Sequence, residues 1–131
     1  MIYLVILAIA IPFALQLKQA LQRTKYLAAE QAKDSCTRIQ RTSKLDPNHS
    51  LLESHKIMVS TVEQMLNAKN RTAAQLLNKL ADRFSNQAEL WRFHRMRNQA
   101  AHELDFYVSA NDAKEARKVF KKTLQDLVKQ K

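Results

Sequence analysis

The chain has 131 residues, with 22 Lys and Arg against 12 Asp and Glu and a formal net charge of +10 at neutral pH. It holds no glycine and two prolines, which excludes glycine-rich phosphate loops and dinucleotide folds and leaves little for the tight turns of hairpin-rich sheets. Good helix formers dominate instead, so the composition predicts an all-α fold, and the basic excess favours anionic partners, either nucleic acid or acidic lipid headgroups.

Residues 1–17 read MIYLVILAIAIPFALQL, without a charged side chain. At about 1.5 Å per residue this is the short end of a membrane-spanning helix, which Lys18 can lengthen by snorkelling. Pro12 is expected to kink the helix, a distortion tolerated in lipid. A cleaved signal peptide would want basic residues before the apolar run and a small-residue cleavage site after it, and neither is present. We therefore expect an uncleaved transmembrane anchor over 1–17. Lys18, Arg23, Lys25 and Lys33 follow the span, so the positive-inside rule places the bulk of a single-pass protein on the cytoplasmic side of the cell membrane.

Residues 18–45 are helix-compatible with a thin apolar stripe of Leu21, Tyr26 (or Leu27) and Ile39. Up to Lys44, seven basic residues face only Glu30 and Asp34, a net of five positive charges. Such a segment suits a juxtamembrane stalk in contact with anionic lipid, or a solvated connecting helix. Cys36 is the one cysteine of the chain. It cannot form an internal disulfide and reads as a small helix residue.

Asp46-Pro47 opens a new helix, because proline suits a first turn and disfavours helix before it. Leu51, Met58, Val62 and Met65 then recur at helical spacing, widened by Leu52, Val59 and Leu66. Asn70 and Arg71 interrupt, Thr72 is a predicted N-cap, and Ala73, Leu76, Leu77, Leu80 and Phe84 form the next apolar face. Ser85 is expected to cap a helix holding Leu90, Trp91, His94, Asn98, Ala101 and His102. After a break at 109–112, Ala113, Ala116, Phe120, Leu124, Leu127 and Val128 build a last amphipathic helix. Residues 46–131 are thus expected to form the compact domain, a bundle of about four helices.

Within the fourth element, Trp91-Arg-Phe-His-Arg-Met-Arg-Asn-Gln-Ala-Ala-His102-Glu103 places three arginines and two histidines beside an apolar stripe. Asn98 and His102 are four apart and share a face with Arg95. Arg97 is five before His102, so on an ideal helix it points away from it. Joint action would need a distortion or a second copy of the helix. Two readings stand. Arg97 pairs with Glu89 or Glu103 while His102 is hydrogen-bonded at a helix end, or the two residues serve a site.

Arg97-Asn98-Gln-Ala-Ala-His102 resembles the arginine–histidine motif of the HEPN superfamily, in which a polar residue often follows the arginine. The resemblance extends over about 46–127 through the Asp-Pro opening, Ser50-Leu-Leu-Glu-Ser, Phe84-Ser, Leu90-Trp91 and the terminal Leu124-Gln-Asp-Leu127. The chain resembles a bacterial group of HEPN-like proteins with an N-terminal membrane segment. The resemblance implies a four-helix HEPN-like bundle, here preceded by a long transmembrane and stalk helix, that forms a homodimer with its motif helices facing. In active relatives the paired motifs make a metal-independent endoribonuclease. Carried over, Arg97 would hold the scissile phosphate of RNA, Asn98 would orient the phosphate or the histidine, and His102 would move protons as general base or acid, a role suited to imidazole. Other members act only as dimerising or interaction modules.

No cofactor or metal is expected, since His49, His55, His94 and His102 lack ligand spacing with each other or with cysteine. Trp91 reads as core, and Phe93 and Tyr107 are too isolated to form a stacking surface for single strands.

Overall fold

The computed structural model describes residues 6, 8, 10–17 and 25–130. All the regular elements among them are helices, as the composition predicts. Helix α1 spans Ala29–Arg41 and runs into a short 3-10 turn, Thr42–Lys44. Helix α2 spans Pro47–Leu66, the short α3 spans Ala73–Lys79, and a second 3-10 turn covers Ala81–Arg83. Helix α4 spans Gln87–His102 and α5 spans Ala110–Asp126.

The helix starts follow their capping chemistry. Asp46 accepts a hydrogen bond from the His49 amide at 3.2 Å with Pro47 in the first turn. Thr72 and Gln75 form a reciprocal capping box. Ser109 accepts from the Asp112 amide at 3.0 Å. Helix α2 ends on Asn67 in the left-handed region, φ 49°, a conformation that asparagine tolerates better than most residues. Ser85 departs from expectation. Its amide and hydroxyl both donate to Asp126 Oδ2, at 3.0 and 2.8 Å, and Asn86 stands at the N-cap of α4 without a side-chain bond.

Helix α2 is the centre of the bundle and packs on α1, α3, α4 and α5. Leu51, Met58, Val62 and Leu66 from α2, Leu76 and Leu77 from α3, Leu90 and Phe93 from α4, and Ala116, Phe120 and Leu124 from α5 are buried together. Phe93 therefore belongs to the core, whereas Trp91 packs at its margin.

The segment expected as a stalk requires a correction. Helix α1 lies against both α2 and α5, with Ala32, Ser35 and Ile39 buried. The Ser35 hydroxyl is 2.8 Å from the Thr61 hydroxyl of α2, a close approach that small side chains permit. Nor is the stalk one long helix. Residues 25–28 are non-helical, and Leu27 pairs with the end of the chain, its amide donating to Leu127 O at 2.9 Å. Arg83 fastens this junction by donating to Lys25 O at 2.6 Å and Leu127 O at 3.2 Å, with its guanidinium over the Tyr26 ring. The packed helices therefore include Ala29–Arg41 and are not confined to residues 46–131.

The expected anchor over 1–17 lies partly outside the described residues, as do positions 18–24 of the expected stalk. Residues 10–17 are helical, and the described side chains of the segment, including Ile6, Ile11, Phe13, Leu15 and Leu17, are exposed. Among the described residues no helix is long and apolar enough to cross a membrane.

Candidate functional site

Helix α4 carries all three residues singled out by the sequence. Leu90, Phe93 and His94 are its buried positions. Arg97 and Asn98, one turn further on, are half-buried, and His102 ends the helix in an exposed position. The structure brings Arg97 and Asn98 together, with Arg97 Nη1 donating to Asn98 Oδ1 at 3.1 Å. It does not bring His102 to either of them. Asn98 turns inward instead, its Nδ2 lying 3.4 Å from His94 Nε2. His94 Nδ1 is in turn 2.9 Å from Nε2 of His55 on α2.

This row of contacts fixes its own protons. A guanidinium only donates, so Asn98 Oδ1 faces Arg97 and Asn98 Nδ2 donates to His94 Nε2. His94 must then carry its proton on Nδ1 and donate it to His55 Nε2, which leaves the proton of His55 on Nδ1. Both rings are buried and packed edge-on, His55 against Phe120 and His94 against Trp91. Burial, with the neighbouring His94 and Arg97, holds His55 down to about 3. Burial, Arg97 and Arg95 also push His94 below its ordinary value. Both imidazoles are therefore neutral at pH 7, and Arg97 is the single charge of the row, at its outer end.

Neither Glu89 nor Glu103 reaches Arg97, which makes no ion pair among the described residues. Its Nε is sealed from solvent without a hydrogen-bond partner. A half-buried cation with an unsatisfied donor is costly unless an acceptor comes to it. The guanidinium lines an open groove of about 580 Å³ between α2 and α4, together with Ala101, His55, Lys56, Glu53 and Glu63. The walls are thus of mixed charge rather than uniformly basic.

Beyond His102 the chain crosses to α5 through 103–109. Asn48 pins this loop, donating from Nδ2 to Phe106 O at 2.8 Å and accepting the Val108 amide at 2.9 Å. Leu104 and Tyr107 project from it into solvent, 101% and 86% exposed, so apolar surface lies beside the motif without a partner in the single chain.

The sequence reading passed over His55 and left His94 without a partner. The available signal was position: His55 is four residues after Leu51 on the apolar face of α2, and His94 is four before Asn98. Among the described residues no group of three or more His, Cys, Asp or Glu side chains is arranged to hold a metal ion. Comparison of the chain with protein-family models, with curated proteins and with solved structures gave no match.

Proposed function

We propose that this protein is a membrane-anchored, HEPN-like homodimeric module that binds an RNA phosphodiester on Arg97 and cleaves it with His102, without a metal. The observation that carries this reading is the Arg97 guanidinium. It is half-buried, bonded to Asn98, free of any carboxylate among the described residues, and holds an Nε that lacks an acceptor. Arg97 lines the open groove, where a phosphate supplies the compensating charge. His102 is exposed at the end of the same helix, open to a substrate or to a second chain. Leu104 and Tyr107 beside it supply apolar surface for pairing.

In the proposed reaction one His102 takes the proton of a ribose 2′-hydroxyl, and the 2′-oxygen attacks the phosphorus. The bond to the 5′-oxygen breaks, and the same His102, now an imidazolium, returns the proton to that oxygen, while Arg97 of the other chain faces it across the dimer. The products are a cyclic 2′,3′-phosphate and a free 5′-hydroxyl. Arg97 stabilises the charge that builds on the non-bridging oxygens. Two chains remove the angular mismatch between positions five apart on one helix. Residues 1–17 confine the protein to the membrane with the bundle cytoplasmic, and confinement raises the effective concentration for pairing.

Full-length protein in detergent, freed of metal by chelation, should cleave single-stranded RNA. His102→Ala should abolish cleavage with unchanged helicity, and Arg97→Lys should slow it by roughly a hundredfold or more. Equal cleavage by wild type and His102→Ala would sink catalysis. A second reading, a non-catalytic pairing module, is favoured by Glu53 and Glu63 on the groove wall. Carboxylates repel a phosphate and suit a basic helix of another chain. Dimerisation without RNA cleavage is its signature.

A further inference from the structure

A second concavity lies on another pair of helices. Helix α1 and the end of α5 leave between them an open trough of about 860 Å³. Ala29, Ala32 and Val128 give it an apolar floor, and Lys33, Lys121 and Lys129 supply its charge. No carboxylate and no aromatic ring lines it. The lysines have no acidic partner among the described residues. Lys121 donates to the neutral Gln40 amide oxygen at 2.7 Å, and Lys129 stands 5.9 Å from the Tyr26 ring.

We infer that this trough receives the phosphate of an anionic lipid headgroup, with the lysines around the phosphate and the apolar floor under the glycerol and first methylenes. Three observations favour lipid over nucleic acid. The floor is aliphatic, no ring lines the trough for a base to stack on, and the trough lies where the chain comes in from its apolar segment. Lys25 is eight residues after Leu17, so the extended chain between them spans at most about 29 Å. Leu27 is bonded to the end of α5 beside the trough. The choice of lipid as the source of the phosphate rests on the reading of residues 1–17 as a membrane anchor.

Cys36 reports on the site. It is the only cysteine of the chain, is half-buried in the trough, and has its Sγ 3.8 Å from Lys121 O. The full chain is reconstituted in phosphatidylcholine vesicles with or without phosphatidylglycerol, and the rate of Cys36 alkylation by iodoacetamide is followed. Phosphatidylglycerol should slow alkylation about fivefold or more. The Lys33→Gln/Lys129→Gln double variant, altered only at exposed positions, should keep its helicity and lose the slowing. Slowing that persists in the variant reflects the surface potential of the vesicle and overturns the inference. So does an alkylation rate indifferent to phosphatidylglycerol. Equal protection of detergent-solubilised protein by inorganic phosphate, or by single-stranded RNA, overturns the lipid assignment. Flotation separates the two readings. A chain that fails to float with plain phosphatidylcholine vesicles sinks the anchor, whereas one that floats without phosphatidylglycerol-dependent protection sinks the trough.

Discussion

His55 and His94 meet 2.9 Å apart in the interior, 39 residues apart in sequence, and set a pH dependence of stability. In the unfolded chain both rings titrate near 6.5, whereas the fold holds His55 at about 3 and depresses His94 in the same direction. Below pH 6.5 the unfolded chain therefore binds protons that the folded chain refuses. Stability should be complete above that pH and fall as the pH drops towards 3, by on the order of 1 kcal/mol per pH unit from His55, with His94 acting in the same direction. Denaturant titrations at pH 7.5, 6 and 4.5 would measure the decline, and a flat profile would contradict the neutral pair. His55→Ala should cost about 3 kcal/mol at pH 7.5, since it opens a cavity and strands the Nδ1 proton of His94. The candidate arginine, asparagine and terminal histidine were legible in the sequence from their types and spacing. The inward turn of Asn98 was not, because it depends on how His94 is oriented, and His55, two helices away in sequence, fixes that.

Helix α1 shows where element-level reading fails and why. The starts of α2 at Pro47 and α3 at Thr72 were readable because capping is local chemistry. The role of α1 was hidden because its buried face is made of Ala32, Ser35 and Ile39. Small side chains register weakly in an apolar stripe, yet they let helices approach closely. Ile39 is fully buried, so Ile39→Ala should lower stability by about 2–5 kcal/mol, whereas a stalk position would change it by less than about 0.5 kcal/mol. Chemical denaturation of the full chain distinguishes the two. By the same reasoning a fragment starting at Asp46 should fail to fold. It loses α1 and the Leu27–Leu127 bond, and leaves apolar surface of α2 and α5 open to water. Thr72→Ala, which breaks a single capping box, should cost only about 1 kcal/mol.

At the scale of the molecule, two concavities differ in charge. One, between α2 and α4, is of mixed charge and is lined by the half-buried Arg97, which makes no ion pair among the described residues. The other, between α1 and α5, gathers lysines where the chain comes in from its apolar segment. Overall composition shows a basic excess, and only the packing of helices distant in sequence separates the groove lined by Arg97 from the trough lined by lysines. Because Arg97 and His102 stand five apart on one regular helix, the proposal requires each site to be assembled from two chains. Mixing Arg97→Ala protein with His102→Ala protein tests this most directly, with metal-free cleavage of single-stranded RNA compared with that of wild type. Each variant alone should be inactive. In the mixture half of the dimers are hybrid, and one of their two sites is intact, so about a quarter of the wild-type rate should return. A mixture as inactive as its components, or a wild-type protein that leaves RNA uncut, would contradict the account.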